Sequence, residues 1–295
     1  MSRSADKDLD ALEGVSATLA ARRLGVVLRN MRQRLKTLRV LDVAKAAGVS
    51  QPTWSQVETG VAIPTEEHLI AATRVLEADE ETVAALLALR QRAKRVEWWH
   101  DFDDVGSQSY LKFIGYEASA VKLRLCASGW VPGLLQTPEW ARAIMLMPGV
   151  PIRPENVDRT IELRIRRQAV LDKPAFHLHA ICGEEALRYQ VGGRDVQLAQ
   201  LRHLLAIATE KNQVTLQVTP FSGSLHLGHS TPYTLTDFVH PLDTSIVHFD
   251  NAVSTFNDTP AEVRLWAYVF DHLTQTALSA NDTVGLIESI IRELS

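Results

Sequence analysis

An all-α N-terminal domain of about five helices, followed by a larger α+β domain, is the fold class that three features of the sequence predict. From Arg22 to about Leu89 apolar residues recur at helical spacing, broken at Gly48, Gly60 and Pro64 into several short helices. Composition changes at Glu97-Trp98-Trp99-His100, where aromatic residues begin. Beyond that point helical stretches alternate with segments rich in β-branched and aromatic residues. A chain of 295 residues is long enough for two domains that each bury a core. The expected organisation is a flexible polar arm over residues 1–20, a helical domain with a connector helix over 21–96, and the α+β domain over 97–295.

The stretch Thr82 to Arg95 sets Val83, Leu86, Leu87 and Leu89 ahead of a basic run, and it reads as the last helix of the first domain, continuing into the connector. In the second domain Tyr116–Cys126, Glu139–Met147, Val157–Leu171, Val196–Glu210 and Ala261–Ser279 are expected as helices. Phe176–Cys182, Val214–Thr219, Tyr233–Val239 and Ser245–Phe249 are expected as strands. No internal repeat and no low-complexity tract interrupts the pattern.

Hydrophobic residues at 46% and charged residues at 22% are the balance of a globular protein rather than of a disordered one. The net charge of −4 excludes a polycation that coats nucleic acid indiscriminately. Its distribution is uneven. Arg22 to Arg39 holds seven basic residues and no acidic one, which fits a phosphate-binding face and, equally, a solvated basic helix. Cys126 and Cys182 sit in apolar surroundings and are expected as buried, reduced thiols. No apolar run has the length of a membrane helix, and the start MSRSADKDLDALEG lacks an apolar signal region, so a cytoplasmic protein is expected.

The most specific pattern lies in Val40–Thr59, VLDVAKAAGVSQPTWSQVET. Two helices that cross steeply through a short turn need a residue tolerant of positive φ, supplied by Gly48. Close approach needs a small residue one turn earlier, and Ala44 stands there. A shared core asks for apolar residues at Val43, Ala47, Val49, Trp54 and Val57, and all five comply. Ser50 is placed to cap the second helix, with Pro52 in its first turn, where a missing N–H is harmless. Together these features resemble the helix-turn-helix of the XRE (lambda-repressor-like) family. Leu24–Met31, with Arg29 and Arg32, resembles that family's first helix, Glu58-Thr59-Gly60 with Ile63-Pro64 its exit, and Leu69–Leu76 its next helix. The chain departs from the family at Thr37-Leu38-Arg39-Val40, where Gly and then Leu-Ser-Gln are common, and Val40 cannot make the glutamine's phosphate contact.

The resemblance implies that the second helix lies in the major groove of double-stranded DNA. By position, Gln51, Ser55 and Gln56 would reach base edges, and Pro52 a thymine methyl. A glutamine pairs well with adenine, so at least one A·T pair is expected in the site. Arg39, Thr53 and Thr59 are the phosphate candidates. Glu58 and Arg32 would pair between recognition helix and first helix; the other reading of Glu58 is a solvated helix-end carboxylate.

The second domain resembles the uncharacterised domain that follows the helix-turn-helix in actinobacterial WhiJ-like regulators. Carrying the resemblance are Tyr116-Glu117-Ala118, the stretch VPGLLQT at Val131–Thr137 with Trp140-Ala141-Arg142-Ala143, Arg164, Arg167-Gln168 and Leu171, Glu184 with Ala186-Leu187-Arg188, Gln200-Leu201, Gln217-Val218, Pro220, His226-Leu227-Gly228 and Ala277-Leu278-Ser279. It implies a regulator often encoded beside a small partner protein. Trp130, Leu134, Leu135 and Trp140 are candidates to wall an effector or partner pocket, against the plainer reading as core. Arg164, Arg166 and Arg167 would receive an anionic ligand or acidic partner, or else form a solvated face.

Catalytic motifs are missing: there is no Gly-x-Ser-x-Gly elbow, phosphate-cradling Gly-rich loop or His-Glu-x-x-His, so no enzyme and no cofactor is expected. His177, His179 and Cys182, with His226 and His229, match no common zinc spacing and read as ordinary strand residues, so no metal is expected. The sequence therefore points to a sequence-specific DNA-binding transcriptional regulator, dimeric, and nucleoid-associated when bound, whose C-terminal domain takes a small-molecule effector or a small acidic partner protein. The alternative is a toxin–antitoxin-like interaction protein in which DNA binding is secondary.

Overall fold

The computed structural model describes residues 12–127, 129–223, 231–249 and 255–295. The chain divides into two compact units, residues 1–100 with 239–243, and residues 101–238 with 244–295. Residues 239–243 of the first unit come from far along the sequence.

Five helices build the first unit: α1 (Ala17–Arg34), α2 (Val40–Ala46), α3 (Gln51–Glu58), α4 (Glu66–Val75) and α5 (Glu80–Ala93). The flexible arm expected over residues 1–20 does not reach residue 20, because α1 already begins at Ala17. Ser16 caps α1 by accepting from the Leu19 N–H at 3.1 Å, and Ala17, Leu19 and Ala20 are already buried. The reason is the Ala- and Leu-rich run from Ala17, which favours helix and presents an apolar face at once. Residues 1–11 lie outside the described residues. Polar caps start the later helices too: Ser50 accepts from Thr53, Thr65 from His68 and Asp79 from Thr82. Leu24, Leu28, Val43, Trp54, Leu69 and Leu86 are buried.

The second unit is α+β. Its sheet runs in the order β3-β2-β1-β4-β5-β6, from β1 (Lys122–Ala127), β2 (His177–Gly183), β3 (Val214–Thr219), β4 (Tyr233–Asp237), β5 (Ile246–Phe249) and β6 (Thr255–Asn257). β1, β2 and β3 are parallel, whereas β4, β5 and β6 join antiparallel, with Leu125 opposite Ala180 on one side and Thr234 on the other. One face buries Leu123, Leu178, Leu216 and Val218 against α7 (Pro138–Met145), α10 (Arg194–Glu210) and α12 (Ala280–Leu294). The other packs Cys126, Ile181, Leu235 and Val247 on Phe270 and Leu273 of α11 (Pro260–Thr276). The remaining helices are α6 (Gln108–Glu117), α8 (Val157–Arg167) and the short α9 (Glu185–Arg188).

Two sequence expectations are corrected here. The helix expected over Tyr116–Cys126 is the end of α6 followed by β1, the central strand. Lys122, Leu123, Arg124 and Leu125 alternate with period two, and pairing on both edges outweighs the helical preference of the residues before them. The expected helix over Val157–Leu171 gives way after Arg167 to a tighter turn over Gln168–Asp172. Helix α12 and strand β6 were not anticipated. Ser279 caps α12 by accepting from Asp282, and Ile287 and Ile290 recur at helical spacing behind it.

Candidate functional site

Gly48 makes the turn between α2 and α3 with φ +72°, and open space surrounds the position of a Cβ, so its backbone conformation is what the turn uses. In the first turn of α3, Pro52 follows the Ser50 cap. Trp54 and Val57 are buried, which turns the other face outward: Gln51, Pro52, Thr53 and Gln56 are exposed, and Ser55 is half-buried. Gln51 with Ser55 and Pro52 with Gln56 stand one turn apart and form two adjacent rows. The four base-contact candidates thus share one accessible surface. Of the phosphate candidates, Thr53 shares a 2.7 Å hydrogen bond with Ser50, and the Thr59 hydroxyl donates back to the carbonyls of Ser55 and Gln56.

Glu58 decides between its two readings by being buried. Its carboxylate accepts from Arg32 Nε and Nη2, both at 2.7 Å, and from Trp54 Nε1 at 3.0 Å, while Arg29 donates to its carbonyl at 2.6 Å. The forked pair with Glu58 holds the Arg32 guanidinium above its usual pKa. Two glycines let the helices close: Gly60, expected in the exit of the motif, and Gly25, which the sequence did not single out. A Cβ on Gly25 of α1 would lie 2.5 Å from the Val57 carbonyl oxygen, and one on Gly60 would lie 2.7 Å from Arg22 Cα.

The basic run from Arg22 to Arg39 is not one face. Arg22 and Arg23 are buried, and Arg23 forms a forked pair with Asp243, Nη2 to Oδ2 at 2.5 Å. Arg29 and Arg32 are committed to Glu58. Arg34, Lys36 and Arg39 are exposed, and Lys45 of α2 joins them in exposure. Arg39 stands at the N-cap position of α2, where Asp42 accepts from its backbone N–H at 2.9 Å, and its side chain pairs with Asp42 at 3.1 Å, which holds that carboxyl below its ordinary range. A phosphate at Arg39 therefore competes with Asp42.

In the second unit the effector candidates separate. Leu134, Leu135 and Trp140 are core, and Trp140 Nε1 donates to the buried Gln197 at 2.8 Å. Trp130, Arg164 and Arg167 instead line one cavity. The sequence pattern missed the partners of Arg167, the buried Glu117 at 2.5 Å and the Tyr110 hydroxyl at 2.9 Å. His179 bonds Gln217 at 2.7 Å and meets the edge of Phe270, and burial lowers its pKa. Cys182 faces the opposite core, and burial pushes both thiols up to about 12. His226 and His229 lie outside the described residues, among which no group of three metal-ligating side chains converges. No helix among them is long and apolar enough to cross a membrane.

Comparison with known families gives two matches. A helix-turn-helix domain matches residues 23–86, and a domain of unknown function, DUF5753, matches residues 110–289. No curated protein and no solved structure matches the sequence.

Proposed function

Because the chain belongs to the DUF5753 family and carries a helix-turn-helix domain ahead of that domain, we propose that it is a sequence-specific transcriptional regulator that reads DNA with α3. One observation carries the reading. Gln51, Pro52 and Gln56 stand exposed on the outer face of α3 while Trp54, Val57 and Glu58 anchor its inner face. Rigid presentation of amide side chains is what base-edge recognition in the major groove requires.

One recognition helix spans too few base pairs to find an operator in a chromosome, so two copies of the chain act on two half-sites about one helical turn apart. The second unit takes a small effector, whose binding shifts DNA affinity through different affinities for two arrangements of the dimer. The protein is a binding protein rather than an enzyme. Burial pushes both of its cysteine thiols up to about 12, so neither serves as a ready nucleophile.

The test is capture of genomic fragments by the purified full-length protein. Enrichment of a shared inverted repeat supports the proposal. Capture that shows no common sequence sinks it and favours the toxin–antitoxin-like alternative.

A further inference from the structure

The cavity of the second unit encloses about 570 Å³, a volume suited to a small organic ligand. Topology makes it. β1 has parallel β2 on one side and antiparallel β4 on the other, so the strand order reverses beside β1. Reversals of this kind leave a crevice at the carboxyl end of a strand. Cys126 and Ala127 at the end of β1 and Tyr233 at the start of β4 form the base. Phe113, stacked on His248 at 4.4 Å, forms one wall, and Trp130 stands half-exposed at the edge.

Charge around this cavity is lopsided. Arg167 is neutralised by Glu117. Arg164 has no acidic partner among the described residues: its Nη1 donates to Gln136 Oε1 at 2.6 Å, and its Nε is buried without an acceptor. Gln136 is fixed in that orientation because its own Nε2 donates to the Val131 carbonyl at 2.6 Å. Gln168 ties the same loop by donating to the carbonyls of Gly133 and Gln136. The VPGLLQT stretch is thus a rigid wall that holds a guanidinium with spare donors. A guanidinium partly withdrawn from water attracts an anion more strongly than a fully exposed one.

We infer that this cavity binds a small organic monoanion, a flat aromatic body bearing one carboxylate, with the carboxylate on Arg164 and the ring between Phe113, Trp130 and Tyr233. A single uncompensated cation sets the charge at one, and the aromatic walls set the body. The inference rests on the reading of the second unit as an effector domain, and it names the effector's class.

The experiment is calorimetric titration of the full-length protein with one-, two- and three-ring aromatic carboxylates, their neutral primary amides, and inorganic phosphate. At least one carboxylate is expected to bind about tenfold or more tightly than its amide. Phosphate alone is expected to give no binding. R164Q should erase the preference for the carboxylate, and R164K should retain part of it. Should R164Q fail to fold, Ala127→Phe fills the cavity, leaves Arg164 in place and must abolish binding of every probe. Equal affinity for acid and amide overturns the inference, as do a preference that survives R164Q, phosphate binding as tightly as the acids, or no binding by any carboxylate at millimolar concentration. DNA affinity measured on the same samples separates the two claims. A carboxylate that binds without changing DNA affinity leaves the anion site standing and removes the effector role.

Discussion

Glu58 shows how much one side chain can organise. It accepts three hydrogen bonds from Arg32 and Trp54 inside the helical core, on the face of α3 opposite the exposed Gln51 and Gln56. Breaking a buried charged pair by removing one partner leaves the other desolvated and unmatched. Glu58→Ala is therefore expected to destabilise the first unit by about 3 kcal/mol, read as a lowered midpoint in urea unfolding. An unchanged midpoint would mean that Arg32 and Trp54 find other partners at no cost. The exposed face answers a different measurement. Gln51→Ala and Gln56→Ala should each weaken binding to the preferred operator by about 1–3 kcal/mol and leave binding to random DNA nearly unchanged. Equal losses on both DNAs would show that neither amide reads a base.

At the scale of elements, the approach of α1 to α3 is set by an absent side chain. With the Val57 carbonyl 2.5 Å from where a Cβ would stand, Gly25→Ala must push the recognition helix away or distort α1. Overpacking of this kind costs about 1–3 kcal/mol. DNA affinity should fall together with the melting temperature; a stable variant with full affinity would refute the close-packing account. The same elements bound the electrostatics. Of the basic run only Arg34, Lys36 and Arg39 are exposed, and with Lys45 they allow contact with about four phosphates per module. The slope of log affinity against log salt should then be about −4 per bound module, and a flat dependence would exclude phosphate contacts as the source of affinity.

The whole molecule adds a constraint between residues that lie far apart in sequence. Arg23 of α1 is matched by Asp243, a residue distant in sequence yet part of the same compact unit, and both side chains are almost completely buried. Asp243→Asn is expected to cost about 3 kcal/mol, because a buried guanidinium loses its counter-charge. Slower amide exchange in α1 of wild type than of D243N would register it, and identical exchange would contradict it. A fragment ending at Arg95 lacks Asp243 and also Glu97, which pairs with Arg92 at 2.9 Å, so it should unfold more readily than the full chain. Full-length protein should sediment as a dimer on an inverted repeat; a monomer at micromolar concentration with and without DNA would end the two-half-site proposal.

The sequence by itself determined the helix-turn-helix. Its requirements are local: a glycine at Gly48, a cap at Ser50, apolar positions one turn apart, and each can be checked within twenty residues. The exposed face of α3 followed from the same spacing, since burying Trp54 and Val57 leaves Gln51 and Gln56 nowhere else to point. Tertiary structure decided what depends on residues far apart. β1 is a strand because β2 and β4 pair with it, although its neighbours in sequence favour helix. Arg22 and Arg23 count as basic in composition, yet burial removes them from the surface, and Asp243 lies 220 positions from the arginine it matches. Trp130, Leu134, Leu135 and Trp140 looked alike as pocket candidates, and only packing sorted wall from core. Charge compensation and cavity shape are properties of side chains that meet through folding, and local patterning carries no record of those meetings.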